Sequence, residues 1–269
     1  MSAPPSPGAY LEGVGVLGPG IPTWPAAARV LRAETPWESV PTVLPVPQCL
    51  PPAERRRMGS LVKLTLAVGL EACAHAGADP AGLPAVFTSS GGDGRNCHEI
   101  CEALASAERL ISPTRFHNSV HNAAAGYWGI ATHATPAANA LCAHDASFGA
   151  GLLEAVCQVA VEQRRVLLIA YDANSPEPLF SVRPIPDAFA VALVLAPERS
   201  AAALAYLALA FSAERADTLA PPALESLRRA IPAARGLPLL ERVARGGGGT
   251  VVLDYLGELR LGVELSACR

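Results

Sequence analysis

Apolar residues along this chain follow two rhythms, and the switches between them mark out an alternating α/β order. Residues 10–18 (YLEGVGVLG) form an apolar run closed by a Gly/Pro turn, which predicts a short strand; Pro25–Ala33 predicts a short helix. Residues 36–52 hold six prolines, so an irregular connection is expected there. Ala53–Gly77 opens on Glu54, Arg55, Arg56 and Arg57, then places Leu61, Leu64, Val68 and Ala72 on one helical face. Gly77 and Asp79-Pro80 stop it. Pro84–Ser89 predicts a strand running into the turn Gly91-Gly92-Asp93-Gly94, and a helix comes next over Asn96–Leu110. Ser112–Ile130 begins as a loop and becomes a helix rich in small residues, and Ala137–Leu141 reads as a strand. Ser147–Arg164 is a helix with Phe148, Leu152, Ala155 and Val159 on one face. Val166–Tyr171 is uniformly apolar, as expected of a strand buried on both faces. Strands at Ala188–Leu195 and Leu204–Phe211 precede short helices at Pro222–Ile231 and Pro238–Arg245. Gly246–Gly249 then leads to a closing strand pair, Thr250–Tyr255 and Glu258–Leu265. There is no short-period repeat and no linker inside 53–200, so the pattern is α/β with buried helices.

Composition narrows the class. The 269 residues are 51% hydrophobic and 17% charged, enough for one large α/β domain or two small ones. A net charge of −3 leaves no broad positive field to hold nucleic acid or an anionic membrane. Lys63 is the only lysine; arginine carries nearly all the positive charge. No uncharged apolar run reaches the ~18–20 residues of a membrane span. Met1–Tyr10 lacks the basic start and apolar stretch of a signal peptide. A soluble, cytoplasmic protein is therefore expected. The seven cysteines are scattered and odd in number, which does not suggest a disulfide framework.

Five segments in order resemble one family. LPPAERRRMGSLVKLTLAVGLEACAHAG (50–77) resembles the early helix of β-ketoacyl synthases and their chain-length-factor partners. SPTRFHNSVHNAAAGYWGI (112–130) resembles the segment ahead of their nucleophile. DASFGAGLLEA (145–155) is similar to the nucleophile elbow and its helix, and VLLIAYD (166–172) to the strand after it. FSVRPIPDAFAVALVLAPE (180–198) is similar to the segment that closes the first half. The resemblance is nearest to short synthase-like proteins of aryl polyene and related lipid or polyketide pathways. It implies a thiolase-like fold: a complete βαβαβαββ first half over 10–198, and a second half, normally stacked on the first, shortened to 199–269, in one domain. It also implies a heterodimer with a full-length ketosynthase, joined through the strand at Ala137–Leu141, and contact with an acyl carrier protein. In such pairs the inactive partner shapes the acyl-chain tunnel, which makes Phe116, Tyr127, Trp128 and Phe148 candidates to limit chain length.

The resemblance further implies a cysteine nucleophile at a strand-to-helix elbow, where the helix N-terminus favours thiolate and oxyanion, assisted by two histidines from the second half. The six histidines here are His75, His98, His117, His121, His133 and His144, so none lies beyond residue 144. The family places small residues six and ten positions after the nucleophile. Counting back from Gly151 and Ala155 puts Asp145 in that slot; a one-residue gap would put His144 there; Cys142 would place Phe148 and Leu152 at the small positions. None of these readings restores a cysteine–histidine–histidine set. Asp145 and Ser147 both suit a helix N-cap. Cys142 reads either as a reactive thiol beside a helix start or as a small buried hydrophobe. The chain is thus expected to be non-catalytic by itself; the alternative is a reduced acyltransferase or thioesterase using Cys142 or His144 with a borrowed base.

Other constellations carry less. Cys97, His98 and Cys101 (CHEIC) lack the fourth ligand and second motif of a zinc site. His117 and His121, four apart in HNSVHN, are read with Asn118 and Asn122 as polar groups fixing the loop against the elbow or a partner. Gly91–Gly94 lacks the GK[ST] ending and GxGxxG spacing of a phosphate cradle and reads as a turn. No metal and no cofactor is expected. The basic cluster Arg55–Arg57 reads as a solvated helix start that could also face an acidic carrier protein.

Overall fold

The computed structural model describes residues 6–268, so part of the expectation for Met1–Tyr10 lies outside the described residues. In chain order the protein folds as β1 (Gly8–Leu17), α1 (Trp24–Leu31), α2 (Pro52–Arg57), α3 (Ser60–Ala76), β2 (Ala85–Thr88), α4 (Gly94–Ala105), α5 (Pro113–His117), α6 (Ala123–Thr132), β3 (Ala138–Leu141), α7 (Ser147–Glu162), β4 (Val166–Asp172), α8 (Leu179–Val182), β5 (Phe189–Ala196), β6 (Ala205–Ser212), α9 (Pro222–Ala230), α10 (Leu237–Ala244), β7 (Gly249–Asp254) and β8 (Arg260–Ala267). Up to β5 this is the βαβαβαββ order of a thiolase-like half. The three strands and two helices after β5 make up a shortened second half.

All eight strands join one sheet, ordered β3-β2-β4-β5-β1-β6-β8-β7. β2, β3 and β4 are parallel, while β5 runs antiparallel to both β4 and β1. β4 and β5 are interior neighbours in this order and every one of their residues is buried, which is what their unbroken apolar runs require. One hydrophobic cluster fills the face under α3 and α6. A second fills the face under α7 and reaches β7 and β8. Gly13 and Gly15 on β1 meet the backbone of α3 at Ala72 and Val68, where any Cβ would collide, so α3 can lie directly on the strand.

One expectation needs correcting. The single helix expected over Ala53–Gly77 is two. Met58 is extended (φ −69, ψ 140) and turns its side chain into the core, and Gly59 starts α3 anew. The basic turn α2 buries none of its residues while α3 buries ten, so the break lets the charged turn leave the apolar axis. β6 pairs with the start of β1, so β6, β8 and β7 continue the same sheet, which folds around α7. On α7, a Cβ at Gly151 would lie 2.6 Å from Thr88 Cγ2 on β2. One at Gly149 would lie 3.0 Å from the Asp254 carbonyl oxygen on β7. Residues two apart face opposite sides of a helix, so α7 is held between the two parts of the sheet.

Candidate functional site

The site lies where β3 hands over to α7, beyond the carboxyl ends of the parallel strands. A single 3₁₀ turn, His144–Ala146, makes the elbow, with His144 at φ +51. Positive φ is uncommon for a non-glycine residue and histidine tolerates it better than most. Ser147 secures this turn rather than capping α7: its hydroxyl donates to the His144 carbonyl (2.7 Å) and accepts from the Ala143 N–H (3.1 Å). The Ser147 carbonyl in turn accepts from Thr88 Oγ1 on β2 (2.8 Å).

Asp145 caps nothing either. Arg183 Nη2 donates to its Oδ1 (2.7 Å), and Arg235 Nη2 to its Oδ2 (3.0 Å). Arg183 Nη1 also sits 2.7 Å from His144 Nε2. A guanidinium can only donate, so Nε2 accepts and the ring proton belongs on Nδ1, 3.5 Å from Asp145 Oδ1. Arg235 extends the chain of charges to Asp254 (3.6 Å), which Arg228 also holds (2.7 Å). Burial works to raise the Asp145 pKa, but the Arg183 hydrogen bond and the Arg235 charge outweigh it and hold the carboxyl below its ordinary range. The second half therefore brings a guanidinium, not an imidazole, to the elbow. Sequence reasoning missed both arginines: each comes from a segment remote in sequence, and no spacing motif links them to Asp145.

Cys142 is exposed, which corrects the expectation of a small buried hydrophobe; its thiol donates to the Ser90 carbonyl (3.2 Å). Among the described residues no hydrogen bond joins Cys142 to His144, and the His144 nitrogen that would act as base is occupied by Arg183. Beside the elbow, Asp172 is fully buried at the end of β4. It accepts from Ser90 Oγ (2.7 Å), Ser90 N–H (2.8 Å), Ser89 Oγ (3.3 Å) and Ala233 N–H (2.9 Å). Burial pushes its pKa up against the pull of these donors. Asp172 forms the floor of an open cavity of about 270 Å3 rimmed by Gly92, Cys97, Leu179, Val182 and Arg183.

The remaining candidates divide. Phe116 is 68% exposed on α5, and His121 and Asn122 are exposed on the loop after it. Asn118, Tyr127, Trp128, Ser147 and Phe148 are buried inside this chain and can reach an interface only through the residues that cover them. Tyr127 donates to Asn118 Oδ1 (3.2 Å), and Asn118 Nδ2 to the Arg57 carbonyl (2.8 Å). Trp128 packs on Gly69 and Phe87, and Phe148 on Gly236. His117 meets the Tyr127 ring edge to face. Cys97 and Cys101 are exposed on α4, and among the described residues no three His, Cys, Asp or Glu side chains gather to hold a metal ion. A second cavity, about 290 Å3, holds Arg56, Arg57, Arg95 and Arg115 together with Asp93 and Glu99, and Glu99 pairs with Arg115. No helix among the described residues is long and apolar enough to cross a membrane.

The two edges of the sheet differ. Asp217 covers β7: its N–H donates to the Val252 carbonyl (2.8 Å) and its carboxylate accepts from the Val252 N–H (3.1 Å), imitating a neighbouring strand. The outer side of β3 has no backbone partner among the described residues.

A thiolase-like sheet with an elbow between its third strand and a buried central helix is the architecture of condensing enzymes. The sequence model described as "Beta-ketoacyl synthase, N-terminal domain" matches residues 25–240. The chain belongs to this β-ketoacyl synthase family. Solved structures share the fold at low identity. A chain of a ketosynthase in complex with its chain length factor from Xenorhabdus doucetiae is 23% identical, with TM-score 0.72, covering 95% of this chain and 98% of that one. A chain of the ishigamide ketosynthase/chain length factor is 13% identical, with TM-score 0.72, covering 96% and 99%. A chain of a type II polyketide acyl-carrier protein in complex with its ketosynthase is 11% identical, with TM-score 0.74, covering 97% and 99%. A comparison with curated proteins gives no match.

Proposed function

We propose that this chain is a non-catalytic, chain-length-factor-like partner of an active ketosynthase. It shapes the acyl-chain tunnel and meets the acyl carrier protein in aryl polyene, polyketide or fatty acid-type biosynthesis in the cytoplasm. The carrying observation is the asymmetry of the sheet edges: β7 is covered by Asp217, while β3 is left open. Soluble proteins rarely leave a strand edge unprotected, because it is a template for pairing. The elbow supports the non-catalytic reading, since the aspartate that the count from Gly151 and Ala155 assigns to the nucleophile slot is clamped by Arg183 and Arg235. The similar structures that pair a ketosynthase with its chain length factor support the kind of partner. The cavity that holds Asp93 and the paired Glu99 and Arg115 also carries Arg56, Arg57 and Arg95, an excess of positive charge that would suit an acidic carrier protein. In this reading residues 10–198 are the synthase-like half and 199–269 its shortened counterpart, in one domain.

Co-expression with a full-length ketosynthase of the same source tests this. The two should co-purify at equal stoichiometry, and Ala138→Lys, a charge on the exposed start of β3, should weaken the pair at least tenfold. If the wild-type chains never co-purify, the proposal fails.

A further inference from the structure

At the open edge, Asn139 and Leu141 turn toward α7. Asn139 Nδ2 donates to Glu154 Oε1 on α7 (3.1 Å), and Gln158 Nε2 donates to the same oxygen (2.8 Å). Glu154 is half-buried, and no Lys, Arg or His pairs with it among the described residues. The two arginines just past α7 are engaged elsewhere, Arg164 with the Gly82 carbonyl and Arg165 with Glu12. Two neutral amides thus fix a carboxylate beside the middle of a four-residue edge strand, and its charge is left uncompensated.

Resting on the reading of β3 as the pairing strand, we infer that Glu154 selects the partner: it disfavours a second copy of this chain and fits a strand-presenting subunit that carries a guanidinium or ammonium opposite it. Symmetry supplies the reason. In a two-fold dimer built on β3, every contact is made twice by the same residues. The two α7 helices would lie on the same face of the joined sheet, with the Glu154 carboxylates within about two strand spacings, roughly 10 Å. Apposed like charges at a desolvating interface disfavour that dimer. A different chain with a cation at this place meets no such repulsion and gains a charge-assisted contact with Asn139 and Gln158 already ordering the carboxylate.

The test is Glu154→Gln, which keeps an acceptor oxygen for both amides and removes the charge. Native mass measurement of the purified chain should show no self-dimer for wild type and a self-dimer for E154Q. Titration against the full-length ketosynthase should show affinity reduced at least tenfold for E154Q, and the salt sensitivity of pairing reduced with it. The inference is overturned if E154Q stays unassociated alone and binds the ketosynthase as wild type does, while Ala138→Lys still weakens that binding. It is equally overturned if wild type self-associates through β3. If wild type never binds the ketosynthase, the pairing reading itself has failed, and this inference with it.

Discussion

Asp145 and Asp172 are two carboxylates a short distance apart in the fold, with opposite electrostatics. Asp145 lies under two guanidiniums and its pKa is held below the ordinary 3.8. A depressed acid contributes stability that is present above its unfolded pKa and lost as pH falls through its folded pKa. Acid titration of Tm from about pH 5 to about pH 3 should therefore show a stability loss that Asp145→Asn reduces; the pair is partly exposed, so the difference should be about 1 kcal/mol or less. Asp172 is the reverse case: its pKa is raised by burial, and its oxygens receive only donors. Asp172→Asn forces an NH2 group against one of those donors and should cost about 2 kcal/mol in denaturant unfolding. A neutral result would mean the four hydrogen bonds are not formed as described.

At the scale of elements, α7 is the piece on which both parts of the sheet depend. Gly151 has no room for a side chain between Thr88 and Leu168, so Gly151→Val should cost about 1–3 kcal/mol or more, measured by chemical unfolding. Most of this architecture was legible in the sequence. The uniformly apolar run 166–171 and the spacing of Phe148, Leu152, Ala155 and Val159 state burial directly, and all of these residues are buried. The break at Met58–Gly59 was not legible, because Met58 fits a helical pattern equally well; its extended backbone reflects a tertiary demand. The elbow was half legible. The sequence shows that Gly151 is small, and its tight packing explains why, but spacing alone leaves Cys142, His144 and Asp145 as alternatives. Arg183 and Arg235 were not legible, since contacts across 38 and 90 residues leave no local periodicity. Nor does sequence alone separate Phe116, which is exposed, from Trp128, which is buried twelve residues later.

For the whole molecule, the proposed pairing makes the exposed Phe116, not the buried Trp128, the residue placed to meet an acyl chain at the interface. Phe116→Ala should leave stability within about 0.5 kcal/mol and lengthen the product of the assembled pair. Trp128→Ala should instead cost about 3–5 kcal/mol by emptying the core beneath α6. Equal product lengths for wild type and Phe116→Ala would remove Phe116 from the tunnel. The central claim is that a closed elbow and an open edge belong to a subunit that assists condensation without performing it. Its most direct measurement is a condensation assay with a malonyl thioester and an acylated carrier protein, run with the purified chain alone and with its ketosynthase. The account predicts no extension by the chain alone and extension once the ketosynthase is added. Extension by the chain alone, abolished by Cys142→Ala, would contradict it.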